Sequence, residues 1–137
     1  MSKEHGPIDC ERLDELLRIA PFHQWLGLTV KSYSSEQIEL EMPWREEIIS
    51  NPMIGSAHGG VLASLIDLTG LYTLLSQGVT AKVTADLRVD YHRPATSGPL
   101  IVTGQVVKVG RQISVAESRI VGPDGKLIAS GRGAYIC

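Results

Sequence analysis

The chain has 137 residues, of which 43% are apolar and 20% charged, and its formal net charge is −2. This length and balance are typical of one globular domain with a substantial core, so we predict a single domain over residues 1–137. Lysines and arginines are scattered rather than gathered on one face, which argues against a nucleic-acid-binding protein.

The first elements are predicted from residue spacing. Residues 9–19, "DCERLDELLRI", place leucines at helical intervals, which predicts an amphipathic helix with Asp9 as N-cap and an end at Pro21. Residues 1–20 would then form a helical N-terminal extension. Apolar residues alternate on both sides of Ser34-Ser35-Glu36, which predicts a β-hairpin. Residues 45–57 have no consistent period and are predicted to form a loop.

Residues 59–76 are predicted to form one long helix, ended by Gly78. Gly59, Gly60 and Gly70 weaken it, since an interior glycine costs about 1 kcal/mol relative to alanine. A helix tolerates such residues where packing compensates or where another group must approach the backbone. The helix is apolar on nearly every side, and Asp67 is its one acidic residue.

The chain after residue 81 is predicted to form four strands. In the first, an apolar set alternates with a polar set that includes Thr84, Asp86, Arg88, Asp90 and His92. Short connections follow, so we expect successive strands to pair antiparallel. The resulting class is α+β, with a mainly antiparallel sheet of about six strands around the long helix. A sheet covers only one side of that helix, so we infer that a second subunit covers the other.

The cell compartment is predicted from what the sequence lacks. Cys10 and Cys137 form no CxxC pair, which agrees with a reducing cytosol. The first residues, "MSKEHGPIDC", lack the apolar core of a signal peptide, and we find no run of about 18 apolar residues that would span a membrane. We therefore expect a cytoplasmic protein with no membrane partner.

Three stretches resemble a known family. The stretches "NPMIGSAHGGVLASLID", "VTADLRVDYHRPA" and "VVKVGRQISVAESRIVGPDGKLIASGRGAY" are similar to the hotdog-fold acyl-CoA thioesterases of the PaaI-like, phenylacetate-pathway group. HGG with an acidic residue nine positions after the histidine is the most specific feature. The resemblance implies a hotdog fold, in which the sheet wraps the long helix. It also implies a homodimer with active sites at the interface, and we expect a dimer of dimers.

The resemblance also implies roles for individual residues. Asp67 matches the general base or nucleophile, and His58, Gly59 and Gly60 match a turn in which the Gly60 N–H polarises the thioester carbonyl. Asn51 matches an upstream loop asparagine of the family, and Thr84 matches a strand serine or threonine that helps hold the attacking water. Each has a simpler alternative: a structural carboxylate at Asp67, a helix cap at His58, a tight turn at Gly59-Gly60, turn chemistry at Asn51 and an ordinary strand residue at Thr84. Three basic residues either meet CoA phosphates or are solvated: Arg88, His92 and Arg93.

Helix geometry bears on how these residues work together. His58 and Asp67 are nine residues apart, which is about 13 Å along a helix axis. Asp67 therefore cannot act on a carbonyl held at the start of its own helix, but it could face the HGG turn of a second chain. N–H groups at that turn could stabilise the charge that a thioester carbonyl gains under attack.

These features together predict an acyl-CoA thioesterase that hydrolyses a small or aromatic acyl-CoA to free acid and CoA. The histidines lack metal-ligand spacing and Ser64 lacks a GxSxG context, so we expect no metal, no cofactor and no serine nucleophile. Two alternatives stay open: a hotdog dehydratase or hydratase acting on an acyl thioester, and a protein that binds acyl-CoA without turnover.

Overall fold

A six-stranded sheet wrapped around one long helix forms the body of the protein in a computed structural model, which describes residues 7–137. Residues 1–6 of the predicted N-terminal extension lie outside the described residues. The helices are α1 (Cys10–Leu17), α2 (Pro21–Leu26) and α3 (Gly59–Ser76). The strands are β1 (Thr29–Tyr33), β2 (Gln37–Met42), β3 (Ile49–Asn51), β4 (Ser56–Ala57), β5 (Val83–Tyr91), β6 (Leu100–Lys108), β7 (Ile113–Val121) and β8 (Leu127–Ile136).

The main sheet has the order β1-β2-β6-β7-β8-β5, and every pair in it is antiparallel. With α3 against it, this is the predicted α+β hotdog architecture. One pairing prediction is wrong, because β5 and β6 follow each other in the chain without pairing. β6 instead lies beside β2, while β5 pairs with β8 at the far edge. The eight-residue connection 92–99 is long enough to cross from one position to the other.

The N-terminal segment contains two short helices instead of one. Asp9 caps α1 as predicted, since its side chain accepts a hydrogen bond from the Arg12 N–H at 2.8 Å. However, α1 ends at Leu17, and Pro21 does not end it. Pro21 begins α2, because the fixed φ of proline suits the first helical position, where its missing N–H costs nothing.

The cover over α3 comes partly from the chain itself. Leu13, Leu17 and Leu26, on α1 and α2, are fully buried in the same core as the α3 leucines. The chain therefore supplies some of the cover that we had assigned to a second subunit. One stripe on α3 remains only half-buried, at helical spacing: Val61, Ser64, Asp67 and Leu71. Contrary to the expectation from the sequence, α3 is long and apolar enough to cross a membrane by length and composition alone, but half of it is buried within the protein, as in a core helix.

Residues 45–57, predicted to be a loop, contain a 3₁₀ turn (Glu46–Ile48) and a small hairpin of β3 and β4. This segment leads directly into α3. Its last residues are fixed by backbone bonds from Ala57 N–H to the Ala95 carbonyl and from His58 N–H to the Ile48 carbonyl, at 2.8 and 2.7 Å. The start of the HGG turn is therefore held by the 3₁₀ turn and by the connection between β5 and β6.

Candidate active site

Asp67 lies midway along α3, and its carboxylate is held by the sheet. The Thr84 hydroxyl, on β5, donates to Asp67 Oδ1 at 2.6 Å. Within residues 7–137, no protein donor contacts the other oxygen, Oδ2. Hydrogen bonds to a charged carboxylate are among the stronger ones in proteins, so Thr84 fixes one oxygen and leaves the second for a water or a substrate.

A β-bulge explains how Thr84 reaches Asp67. The alternation in β5 groups Thr84 with outward-facing residues, yet its side chain faces α3. The register between β5 and β8 shifts between Thr84 and Asp86, so Ala85 is an extra residue in the strand. An extra residue reverses the alternation on one side of it, which brings Thr84 to the helix side and leaves Val83 58% exposed.

Two further hydroxyls bind the α3 backbone at Asp67. Tyr135 on β8 is fully buried, and its hydroxyl donates to the Asp67 carbonyl at 2.8 Å. The buried Ser118 on β7 donates to the neighbouring Ile66 carbonyl at 3.1 Å. Sequence reasoning missed both residues. The available signal was Gly70, whose place in an apolar helix indicated that some group approaches the backbone there.

The pKa of Tyr135 is raised above its ordinary value, first because the phenol is buried and second because the Asp67 carboxylate is nearby. Both causes oppose the formation of a phenolate. Tyr135 therefore remains protonated and acts as a hydrogen-bond donor.

The HGG turn at the start of α3 differs from the prediction in one respect. His58 is the N-cap of α3, and its Nδ1 accepts a hydrogen bond from the Gly60 N–H at 2.8 Å. The Gly60 N–H that was predicted to polarise a carbonyl is thus occupied by the imidazole in this structure. The Val61 N–H is bonded to the His58 carbonyl. Within residues 7–137, no acceptor is found for the Gly59 N–H, so Gly59 provides the open donor of this turn.

Tyr91, at the end of β5, contacts the same turn. Its hydroxyl donates to the Gly59 carbonyl at 2.7 Å, although the side chain is 53% exposed. The edge strand β5 therefore touches both parts of the site, through Thr84 at Asp67 and through Tyr91 at Gly59. Tyr91 was not predicted to contribute to the site, although it lies in the stretch "VTADLRVDYHRPA" that resembles the family.

Asn51 is the last residue of β3, at the start of the turn that leads to β4. Its side-chain oxygen accepts from the Met53 N–H at 3.1 Å, and Asn51 pairs with Ser56, two residues before His58. A side-chain bond of this kind stabilises a turn, which was the simpler alternative to a role for Asn51 in the site. The pairing nevertheless keeps Asn51 near the HGG turn.

The three basic candidates do not form one group. Arg88 is exposed, with its Nε 3.4 Å from Asp90, and lines a groove of about 580 Å³ with Arg119 and Arg132. Asp67 and the HGG turn are not part of this groove. His92 Nε2 lies 2.8 Å from the Ser130 hydroxyl, and Arg93 Nε donates to the Leu127 carbonyl at 3.0 Å. His92 and Arg93 directly follow Tyr91, so they lie closer in the chain to the HGG contact than Arg88 does.

No group of three or more potential metal-ligating side chains is found within residues 7–137. The groups that the site offers are a carboxylate, hydroxyls and backbone donors. A carboxylate with one free oxygen can take a proton from water or attack a carbonyl, and unpaired N–H groups at a helix start can bind a developing oxyanion.

Comparison with known proteins agrees with this fold. The model of the thioesterase superfamily matches residues 54–129, more than half of the chain. The crystal structure of a protein from that superfamily superposes with a TM-score of 0.88 at 42% identity, covering 93% of this chain and 97% of that one. The PaaI protein of the Escherichia coli phenylacetic acid degradation operon gives a TM-score of 0.77 at 28% identity, covering 93% and 92%.

Among curated proteins, the medium/long-chain acyl-CoA thioesterase YigI of Salmonella typhimurium is 28% identical over 131 residues, covering 85% of this chain and 84% of its own. The chain belongs to the thioesterase superfamily and has its hotdog fold. Membership of this family supports thioester hydrolysis as the general activity.

Proposed function

We propose that this protein is an acyl-CoA thioesterase in which Asp67 drives hydrolysis and the first turn of α3 binds the thioester carbonyl. The observation that carries the proposal is the state of Asp67. Its Oδ1 is fixed by Thr84 at 2.6 Å, and among residues 7–137 no protein donor contacts its Oδ2. A carboxylate held in this way is oriented for reaction rather than used up in a structural contact.

In the proposed reaction, Asp67 Oδ2 takes a proton from a water molecule while the water oxygen bonds to the thioester carbon. The carbonyl oxygen gains negative charge, which the Gly59 N–H and the positive end of α3 stabilise. The C–S bond then breaks, the free acid forms, and the CoA sulfur leaves and takes up a proton. In the alternative first step, Oδ2 attacks the carbonyl carbon and the C–S bond breaks, so that the CoA sulfur leaves and takes up a proton. Water then cleaves the resulting mixed anhydride to the free acid and the Asp67 carboxylate.

The two parts of the site would come from different subunits. Along α3, Asp67 and the HGG turn are about 13 Å apart, which is too far for one carbonyl to meet both in the same chain. The half-buried stripe on α3 contains Asp67 and is flanked by the free edge of β5. A second copy placed on this side would cover the stripe and bring its own HGG turn to Asp67. A homodimer is thus the proposed active unit, with a dimer of dimers as the expected assembly.

The acyl group is proposed from the relatives. The name of YigI specifies medium and long chains, and PaaI belongs to a phenylacetic acid operon. We propose a small or aromatic acyl group, following the resemblance to the PaaI-like group. The decisive experiment is a thiol-release assay with a panel of acetyl-, phenylacetyl-, benzoyl-, octanoyl- and palmitoyl-CoA. We expect turnover that is greatest with a small or aromatic acyl group. No thiol release with any of the five would contradict the proposal.

Subunit sharing can be tested by complementation. Asp67→Asn removes the carboxylate, and Gly59→Pro removes the open N–H donor, so each homodimer should be nearly inactive. A mixed dimer has one site with both lesions and one site with neither. Random mixing makes about half of the dimers mixed, so activity should return to about a quarter of wild type. Confirmed heterodimers without recovered activity would place each site within one chain.

A further inference from the structure

Tyr135 connects the sheet to the backbone of the proposed catalytic residue. The side chain is fully buried, and its hydroxyl donates to the Asp67 carbonyl at 2.8 Å. The Asp67 carbonyl also lies in the hydrogen-bonding ladder of α3, so the helix does not require this additional donor in order to form. The contact therefore needs another explanation.

The sheet register indicates one. Thr84 on β5 and Tyr135 on β8 are directly paired, and both side chains reach Asp67. Thr84 binds the carboxylate, while Tyr135 binds the carbonyl of the same residue. One cross-strand pair thus holds both the carboxylate and the backbone carbonyl of Asp67.

Two glycines leave the space that this contact requires. A Cβ atom at Gly70 or at Gly133 would lie 2.2 Å from the Tyr135 hydroxyl, so any larger residue at either position would displace it. Gly70 is in the interior of α3, where glycine costs about 1 kcal/mol relative to alanine. Gly70 weakens the helix, but its missing side chain leaves the space in which the Tyr135 hydroxyl lies.

We infer that Tyr135 is a positioning residue for the reaction, whose hydroxyl fixes the turn of α3 at Asp67 so that the carboxylate meets Thr84 with its second oxygen free. This inference rests on the proposed function of Asp67. Tyr135 touches no substrate, and it acts through the orientation of Asp67. Its buried, protonated hydroxyl gives one fixed hydrogen-bond direction, whereas a solvated group could exchange its partner for water.

The chain offers a matched control. Tyr33, on β1, also donates its hydroxyl to an α3 carbonyl, that of Ser76, at 3.0 Å. Ser76 lies nine residues beyond Asp67, about 13 Å further along the helix. Tyr33→Phe and Tyr135→Phe each delete one sheet-to-helix hydroxyl bond. The bonds differ in whether they lie at Asp67, and Tyr33 is half-buried whereas Tyr135 is fully buried.

We expect Tyr135→Phe to lower kcat about ten-fold, with KM within about two-fold of wild type, because small errors in the position of a reacting group are costly. Tyr33→Phe should leave kcat and KM unchanged, although both variants lower the melting temperature. Equal kcat values for the two variants would overturn the inference. Asp67→Asn, measured alongside, separates the possible failures. If Asp67→Asn retains activity, the proposed function fails; if it is inactive and Tyr135→Phe is normal, only the positioning role fails.

A measurement without substrate provides a second test. The ¹³C chemical shift of the Asp67 carboxyl carbon reports its hydrogen bond with Thr84. It should change in Tyr135→Phe and remain at the wild-type value in Tyr33→Phe, and an unchanged shift in both would contradict the inference. Should Tyr135→Phe fail to fold, Ser118→Ala removes the neighbouring bond to the Ile66 carbonyl and should change the same signal and lower kcat by a smaller factor. A wild-type signal and kcat in that variant would overturn the inference.

Discussion

The two parts of the site on α3 are held in different ways. At the HGG turn, the contacts come from side chains that solvent reaches: His58 is exposed, and Tyr91 is 53% exposed. At Asp67, the backbone contacts come from Tyr135 and Ser118, which are 0% and 1% exposed. Hydrogen bonds in a buried, low-dielectric setting are stronger and harder for water to replace. The protein therefore holds the α3 backbone at Asp67 with buried contacts, whereas the HGG turn, the proposed carbonyl-binding part, is held by contacts that solvent reaches.

The sharpest test of the Asp67 half is the loss of its charge. Asp67→Asn keeps the size of the side chain and can still accept the hydrogen bond from Thr84. It removes the proposed base, so kcat should fall by at least about 100-fold. Thiol release measures the effect, and circular dichroism confirms folding. Asp90→Asn is the control: it changes an exposed carboxylate on β5 and should retain full activity. Near-normal turnover in Asp67→Asn would remove the basis of the comparison between the two halves.

The HGG half can be tested by deleting one N–H. Gly59 is the first residue of α3, and His58 before it has φ −60° and ψ 130°, so proline fits at position 59 without disturbing the helix. Gly59→Pro should lower kcat about 100-fold, as expected for the loss of one oxyanion donor. Gly59→Ala keeps the N–H, and its Cβ would lie 3.4 Å from the Tyr91 ring, an ordinary contact. Equal activity in the two variants would show that the Gly59 N–H has no catalytic part.

Thr84 tests how the carboxylate is oriented. Thr84→Val preserves the shape of the side chain and removes the hydroxyl that binds Asp67. A hydrogen bond to a charged group contributes about 1.5–3 kcal/mol, of which a part should appear as a fall in kcat of about ten-fold. Thr84→Ser restores the hydroxyl and should recover most of the activity. If the valine and serine variants have the same kcat, Thr84 is an ordinary strand residue.

The burial of Tyr135 beside Asp67 should also make the free energy of unfolding decrease at high pH. Burial raises the pKa of Tyr135 above its ordinary value, so above pH 10 the unfolded chain releases a proton that the folded protein keeps. The stabilising contribution is complete below pH 10 and is lost as the pH rises, by at most about 1.4 kcal/mol per pH unit for one tyrosine. Burial also raises the pKa values of Tyr33 and Tyr72, which add to the loss.

Urea unfolding at pH 8 to 11 would measure this dependence. The free energy of unfolding should decrease less steeply above pH 10 in Tyr135→Phe than in wild type, because the variant lacks one of these tyrosines. Identical slopes in wild type and Tyr135→Phe would contradict the difference between the buried and exposed contacts.

Much of the fold could be predicted because its signals are local. Helical spacing and the stop at Gly78 predicted the extent of α3, and alternation with short turns predicted most strands of the sheet. Pro21 was misinterpreted because proline both ends a helix and suits the first turn of the next one. The positions of β5 and β6 were misassigned because strand order depends on contacts between residues far apart in the chain.

Residue spacing was enough to predict one carboxylate in an apolar helix nine residues after an HGG turn, because helix period is a property of neighbouring residues. The groups that meet this carboxylate come from distant parts of the chain, and packing brings them there. A bulge at Ala85, formed against β8, brings Thr84 to the helix side, and the space at Gly70 and Gly133 admits the Tyr135 hydroxyl. These contacts depend on how two strands and a helix pack together, and no local pattern encodes the register between them.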